Sequence, residues 1–191
     1  MTIGVLAIQG DYEAHKLRLE ELGAKVVLVK KPEQLEPLDA IVIPGGESST
    51  MLKFLERDGF LQKLRDFVQV KPSFGTCAGA ILLAKEVENP KQQSLSVMDI
   101  CVQRNAYGRQ LDSNIREAET KLAGGPLEMV FIRAPKISRT GKEVEVLASY
   151  DGDPVLVRQK HMMAATFHPE LSDDKRVHEA FLEIVRKANK N

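Results

Sequence analysis

The chain has 191 residues, of which 43% are hydrophobic and 28% charged, and its formal net charge is zero. This composition is typical of a globular protein with a stable core, and the balanced charge gives no electrostatic basis for binding nucleic acid or an anionic membrane. No apolar run reaches the roughly 18 residues that span a bilayer, and the first residues resemble a strand rather than a signal peptide. Two cysteines are too few for a disulfide framework, which indicates a reduced, cytoplasmic protein.

Strands and helices alternate in the first part of the chain. Apolar runs predict buried strands of a parallel sheet over residues 2–8, 24–29 and 40–43. Apolar spacing of three and four predicts helices over residues 12–22, 51–56 and 59–70. No linker divides the chain, so we expect a single α/β domain over residues 1–191, with a mostly parallel central sheet flanked by helices.

The stretch Phe74–Ala80 lies between a predicted short strand and a predicted helix. Gly75 and Gly79 flank Cys77 and allow a tight turn, which is the pattern of a nucleophile elbow. The following helix N-terminus would favour a thiolate and offer N–H groups to an oxyanion. A buried, inert cysteine would fit the same residues, and we interpret Cys101, inside a later apolar run, in that way.

A second glycine-containing turn, Pro44–Thr50, follows the third predicted strand. Ser48, Ser49 and Thr50 are natural helix caps, so the stretch is explained by a capped turn. It also fits a backbone-lined pocket beside Cys77, because ligands of open α/β sheets bind at the carboxyl ends of the strands.

The second half is predicted to contain a loop and several short strands. The loop covers residues 86–94, and the strands cover 95–102, 129–132, 144–149, 154–160 and 162–167. Arg104 and Arg133 each follow an apolar strand, where a guanidinium would lie in a solvated turn or contact a carboxylate or a partner. Asp173 or Asp174 is expected to cap a terminal helix.

A cysteine nucleophile needs a base, and the chain has four histidines. His161 lies in a predicted turn, His178 on the terminal helix away from any strand end, and His15 on the face of the first helix. Only His168 ends an apolar strand at the sheet edge that carries Cys77.

The residues after His168 supply a partner for it. Glu170 would project to the same side of an extended segment, which Pro169 stiffens. We therefore predict a Cys77–His168–Glu170 triad.

The motifs Gly75-Thr76-Cys77-Ala78-Gly79 and His168-Pro169-Glu170 resemble those of the class I glutamine amidotransferases. Three further stretches resemble the glutaminase subunits of pyridoxal 5′-phosphate synthase. They are Ile8-Gln9-Gly10-Asp11 with His15, the stretch 44–51, and Arg104-Asn105-x-x-Gly108-Arg109-Gln110-x-Asp112-Ser113. Asn114 stands where that family usually has an aromatic residue.

The resemblance implies a flavodoxin-like fold and hydrolysis of L-glutamine to glutamate and ammonia, which a separate synthase subunit would use. It implies Cys77 as nucleophile, His168 as general base and Glu170 as its orienting partner. The positions that match glutamine-contacting residues are Gly46, Glu47, Ser48, Arg104, Ile132 and Arg133. Backbone N–H groups of Gly46 and Ala78 would hold the oxyanion, and no metal or organic cofactor is expected.

The segment containing Gln9, Asp11 and His15 follows the first strand, close to the expected site, and is expected to respond to partner docking. Three alternatives remain open from the sequence. They are the glutaminase subunit of another synthase, such as imidazole glycerol phosphate synthase, a cysteine hydrolase or peptidase of the DJ-1/PfpI type, and a non-catalytic interaction module.

Overall fold

The structure, a computed structural model, describes residues 1–106 and 114–190. Its strands are β1 Thr2–Leu6, β2 Lys25–Val29, β3 Ala40–Ile43, β4 Ser73–Thr76, β5 Ala84–Glu88, β6 Met98–Gln103, β7 Asn114–Ala118, β8 Leu127–Phe131, β9 Lys136–Thr140, β10 Glu145–Tyr150, β11 Asp153–Gln159 and β12 Met162–Ala165. Its α-helices are α1 Tyr12–Glu21, α2 Ser48–Leu55, α3 Phe60–Val70, α4 Ala78–Leu83 and α5 Arg176–Ala188.

Seven strands form the central sheet in the order β2-β1-β3-β4-β12-β11-β10. The first five are parallel to one another, and β11 and β10 add an antiparallel edge. The parallel part has the 2-1-3-4-5 order of flavodoxin-like folds, whose ligands bind where the strands end. The predicted fold class, α/β with a mostly parallel sheet, is confirmed.

Helices cover both faces of this sheet because its central strands are apolar on both sides. Every residue of β3, β4 and β12 is buried. Helices α2, α3 and α4 pack in one core cluster, and α1 and α5 contribute to the other. Each helix packs through an apolar face. In α5 this face contains Val177, Phe181 and Val185, which recur at a spacing of four and are fully buried.

Two smaller sheets lie outside the central one, with strand orders β5-β6-β9 and β7-β8. The predictions were wrong here in two respects: β5 occupies part of the predicted loop, and β7 and β9 were not identified. The cause is the polar surface of these strands. In β7, for example, no residue is fully buried, so the sequence carries little apolar signal.

The predicted caps of two helices were also wrong. Helix α2 begins at Ser48, and its N-cap is Glu47, whose carboxylate accepts hydrogen bonds from the backbone N–H groups of Ser49 and Thr50. Helix α5 has Lys175 at its N-cap, while the carboxylate of Asp174 accepts from the N–H of Arg176, 3.1 Å away. Within the described part of the chain, no helix is long and apolar enough to cross a membrane.

Candidate active site

Cys77 occupies the tight turn between β4 and α4. Its φ of 47° and ψ of −101° are strained for a residue with a side chain. Gly79 lets α4 lie against β3, because a Cβ at this position would clash with the backbone carbonyl of Ile43. The strand–turn–helix arrangement predicted from the sequence is therefore present, with the thiol at the carboxyl end of β4.

His168 reaches the same edge of the sheet from the neighbouring strand. Strand β12 pairs in parallel with β4, and Ala165 lies opposite Thr76. Gly45 adjoins both side chains, since a Cβ built on it would lie 3.1 Å from His168 Nδ1 and 3.4 Å from Cys77 Cβ. The thiol and the imidazole therefore meet over this glycine.

Glu170 holds the far side of the His168 ring. Its Oε1 lies 2.7 Å from His168 Nδ1, and both side chains are buried. The chain reaches this contact through a 3₁₀ turn, Pro169–Leu171, rather than through the extended segment that was predicted. The helical turn directs the carboxylate back toward the imidazole.

Opposing effects act on the ionisation of this pair. Burial lowers the pKa of His168, but its hydrogen bonds to Cys77 and Glu170 outweigh burial and raise that pKa to about 10. Burial raises the pKa of Glu170, but the imidazoles of His15 and His168 beside its oxygens lower it below the usual value. The geometry thus favours an imidazolium held beside an ionised carboxylate.

Cys77 and His168 line a cavity of about 690 Å³. The β1–α1 turn contributes Gln9 and Asp11 to its wall. The turn before α2 contributes Gly46 and Glu47, and α2 contributes its first residue, Ser48. The segments after β6 and β8 contribute Arg104, Asn105, Ile132 and Arg133. The cavity has the size of a small-molecule site.

An ion pair joins two residues of the cavity wall. Arg104 Nη2 lies 3.2 Å from Glu47 Oε1. Burial raises the pKa of Glu47, but the hydrogen bonds that it accepts from Ser49 and Thr50 lower that pKa to about 2. The site therefore presents a fixed negative charge next to a guanidinium.

Comparison with known proteins places this chain in a family. The model of the SNO glutamine amidotransferase family matches residues 5–187. The chain belongs to this family.

Two relatives of this amidotransferase carry a more specific name. It is 62% identical over 189 residues to "Pyridoxal 5'-phosphate synthase subunit PdxT" of Koribacter versatilis, covering 99% of this chain and 98% of the relative. It is 48% identical over 191 residues, all of both chains, to the protein of the same name from Fervidobacterium nodosum.

Solved structures agree with the fold of the amidotransferase. A crystal structure described as a glutamine amidotransferase superposes with a TM-score of 0.90 at 46% identity, over 96% of this chain and 98% of the other. A glutamine amidotransferase from Thermotoga maritima superposes with a TM-score of 0.65 over 100% and 85% of the two chains, but at 15% identity it shows the fold alone.

The residues predicted to contact glutamine all line the cavity of the amidotransferase. They are Gly46, Glu47, Ser48, Arg104, Ile132 and Arg133. Ala78, expected at the oxyanion site, is the first residue of α4 and directly follows Cys77. The motif residues Gly108, Arg109, Gln110, Asp112 and Ser113 lie outside the described residues.

The three residues expected to respond to a partner separate into two groups. Gln9 and Asp11 line the cavity, and Gln9 Oε1 accepts a hydrogen bond from the Glu47 N–H at 3.3 Å. His15 is fully buried behind Glu170, where its Nε2 lies 3.2 Å from Glu170 Oε2.

In the described part of the amidotransferase, Asp11, His168 and Glu170 bring possible metal-ligand atoms within 4.8 Å of one another. Two of these residues, His168 and Glu170, are already hydrogen-bonded to each other.

Sequence reasoning overlooked His178, which was expected to lie away from the site. It is fully buried, and its Nε2 lies 3.0 Å from His15 Nδ1. Burial, followed by the neighbouring His15, lowers the pKa of His178 to about 3, and burial also lowers the pKa of His15. The amidotransferase thus contains two histidines that stay neutral in the folded state.

Because His15 and His178 are neutral in the folded state, we predict that the free energy of unfolding falls in mild acid. Below about pH 6.5 the unfolded chain protonates both, whereas the folded chain does not, so each lowers the free energy of unfolding by up to about 1.4 kcal/mol per pH unit. His168 adds no slope there, because its raised pKa keeps it protonated in both states, and its stabilisation is lost only as pH rises from about 6.5 through about 10. Urea unfolding between pH 7 and 5 measures this slope.

The variant His178→Gln removes one of the two histidines that only the unfolded chain protonates, so it measures the contribution of His178 alone. We expect its unfolding free energy to fall less steeply with acid than that of the wild type, by up to about 1.4 kcal/mol per pH unit. The variant His161→Gln is the matched control, because His161 lies in a partly exposed turn with Nε2 3.0 Å from the Val68 carbonyl. Equal slopes for wild type and His178→Gln would contradict the prediction.

Proposed function

We propose that this chain, as one domain over residues 1–191, hydrolyses L-glutamine to glutamate and ammonia and delivers the ammonia to the synthase subunit of pyridoxal 5′-phosphate synthase. The observation that carries the proposal is the meeting of Cys77 with a His168 imidazole bonded to Glu170 at 2.7 Å, in the wall of one cavity. The PdxT relatives, 48–62% identical over their whole length, support the choice of synthase.

The first half of the reaction forms a thioester. The Cys77 thiolate attacks the side-chain amide carbon of glutamine, and the carbonyl oxygen becomes an oxyanion, for which we propose the backbone N–H groups of Gly46 and Ala78 as donors. The C–N bond then breaks as the His168 imidazolium gives its proton to the leaving ammonia. Glu170 keeps the imidazole oriented and balances its charge.

The second half releases glutamate. His168, now neutral, takes a proton from water as the water oxygen attacks the thioester carbon. The C–S bond breaks, and Cys77 leaves as the thiolate beside the reprotonated His168. Each cycle begins and ends with a reduced Cys77, which agrees with a reducing compartment such as the cytoplasm.

The charged residues of the cavity support a free amino acid as substrate. We propose that Arg104 and Arg133 face the α-carboxylate, because a guanidinium binds a carboxylate through paired hydrogen bonds. Glu47, whose pKa of about 2 keeps it ionised, would face the α-ammonium group, and Ser48 and Ile132 would complete the wall.

We propose that docking of the synthase completes the oxyanion site. The Gln9–Glu47 hydrogen bond links the β1–α1 turn to the residue after Gly46, and Gly46 itself has a φ of 140°. A partner that moved the turn containing Gln9 and Asp11 would therefore move the Gly46 peptide. His15 would carry the same movement to Glu170, which it contacts.

The experiment measures ammonia release from glutamine with and without the purified synthase subunit. We expect the synthase to raise kcat by about 10²-fold, the effect of one oxyanion donor, and the complex to form pyridoxal 5′-phosphate from its sugar-phosphate substrates with glutamine as nitrogen source. Equal ammonia release with and without synthase would overturn the docking hypothesis. Failure of glutamine to support product formation would overturn the choice of synthase.

A further inference from the structure

Polar contacts behind His168 continue beyond Glu170. His15 Nε2 lies 3.2 Å from Glu170 Oε2 and 3.0 Å from the hydroxyl of Thr76, the last residue of β4. On the other side of the ring, His15 Nδ1 lies 3.0 Å from His178 Nε2. All four side chains are buried, and among the described residues two of their polar atoms, Glu170 Oε2 and His178 Nδ1, have no hydrogen-bond partner.

The chemistry of these neighbours fixes the position of each proton. An ionised carboxylate only accepts, so the His15 nitrogen that faces Glu170 and Thr76 carries the hydrogen. His15 Nδ1 is then an acceptor, and His178 must donate to it from Nε2. Within residues 1–106 and 114–190, His178 Nδ1 has no hydrogen-bond partner. The reverse arrangement would bury a donor there and turn a lone pair of His15 toward the carboxylate.

Aromatic packing holds both imidazoles in place. The ring of Phe74, on β4, stands edge-on to His15 and to His178, with centroids 6.3 and 6.0 Å away. Phe181, on α5, packs against Phe74 with a centroid distance of 5.6 Å. The terminal helix thus delivers His178 to His15 in one orientation.

The charged and titratable groups around the pair come from three parts of the fold. Glu170 and His168 face it from the segment after β12, and Asp11 and Arg18 from the two ends of α1. Neither His15 nor His178 is a wall residue of the cavity that contains Cys77. Any effect of the pair on the reaction therefore passes through the groups that His15 contacts, which are Glu170 and Thr76, the residue before Cys77.

We propose that His15 and His178 are positioning residues of this site. His178 donates to His15 and fixes the tautomer that presents an N–H beside the second oxygen of Glu170. That N–H lies 3.2 Å from Oε2, which has no hydrogen-bond partner in the described part of the chain, so it attracts the carboxylate electrostatically and favours the orientation in which Oε1 accepts from His168. The site is then a relay of five side chains, Cys77–His168–Glu170–His15–His178, that links α1, α5 and the ends of two sheet strands. The inference rests on the proposed function for its kinetic consequences, but not for its proton positions.

A first experiment reads the tautomers directly in the whole wild-type chain. Nitrogen-15 NMR at neutral pH should show His15 protonated on Nε2 alone and His178 protonated on Nε2 alone. This measurement needs no enzymatic activity, so it tests the relay even if the chain does not hydrolyse glutamine. A proton on His15 Nδ1, or on His178 Nδ1, would overturn the proposal.

A second experiment compares two variants in the complex with the synthase. His178→Leu removes the donor at similar volume, whereas His178→Gln keeps an N–H near the position of Nε2. We expect His178→Leu to lower kcat about tenfold, the factor that corresponds to about 1.4 kcal/mol and to one hydrogen bond. KM for glutamine should not change, and His178→Gln should recover most of the loss.

Two further readouts separate positioning from mere packing. In His178→Leu, but not in His178→Gln, the pKa of His168 measured by NMR should fall, because a displaced Glu170 stabilises the imidazolium less. In a Glu170→Gln background, the His178→Leu substitution should change kcat by less than about twofold, because the residue that carries the effect is already altered. A full additional tenfold loss in that background, or equal losses in the Leu and Gln variants, would overturn the proposal.

Discussion

Replacing Cys77 with alanine should abolish ammonia release from glutamine, with a loss in kcat of at least about 10⁴-fold. The thiolate is the only group proposed to bond to the amide carbon, and removing a nucleophile costs most of the covalent rate enhancement. Glutamine binding should survive, because Arg104, Arg133 and Glu47 remain in the cavity wall. Ammonia assays with the synthase present, and calorimetry with glutamine, measure the two effects.

Cys101 provides the matched control for this experiment. It is also buried, but it lies within β6, in the smaller sheet beside β9. Cys101→Ala should therefore keep ammonia release within about twofold of wild type. An electrophilic glutamine analogue should label Cys77 in the wild type and nothing in Cys77→Ala. Labelling of Cys101 would contradict the assignment of the nucleophile.

The turn containing Cys77 could be predicted because its signal is local. Glycines at positions 75 and 79 around a cysteine, between an apolar strand and a helix, describe the turn completely within seven residues. His168 could be found for a related reason. Parallel strands end at one edge of the sheet, so the residue after an apolar run has a predictable place.

The contact between His15 and His178 could not be predicted in this way. The two residues are 163 positions apart in the sequence, on α1 and α5. The order of the strands in the sheet determines that these two helices come together. Helical spacing shows that α1 and α5 each have a buried face, but it does not show which buried face the other meets. A polar residue on a buried helix face is the only sequence feature that could indicate such a contact. For His178 that feature is present, but no strand end lies near it in the sequence to place it at the site.

The N-cap Glu47 was not predicted because its contact in the cavity outweighs the usual preference of helix N-caps for serine and threonine. Serine and threonine are better caps than glutamate, so the sequence favoured Ser48, Ser49 or Thr50. In the structure Glu47 accepts from two N–H groups of α2 and also contacts Arg104. One side chain thus ends the turn and completes the wall of the cavity, and a scale of cap preferences contains no information on the second contact.

Replacing Glu170 with glutamine should lower kcat by about 10³- to 10⁴-fold while leaving the shape of the site nearly unchanged. Glu170 Oε1 accepts a hydrogen bond from His168 at 2.7 Å, and Oε2 lies 3.2 Å from His15 Nε2 without a hydrogen-bond partner in the part of the chain that the structure describes. The amide introduced by Glu170→Gln would have one oxygen and one NH₂ group. In either orientation the NH₂ group would face an N–H, that of His168 or that of His15, so two donors would oppose each other. It also removes the charge that stabilises the imidazolium, and loss of the acidic triad member in related mechanisms has this magnitude.

The pH dependence of the variant follows from the same contact. Because Glu170 raises the pKa of His168 both by hydrogen bonding and by charge, Glu170→Gln should lower that pKa from its wild-type value of about 10. NMR titration of His168 measures the shift, and Glu128→Gln is the control, since Glu128 accepts from Ser172 Oγ at 2.6 Å and lies outside the cavity wall. If Glu170→Gln retained the kcat of Glu128→Gln, Glu170 would not orient the base, and the relay behind it would have no kinetic role.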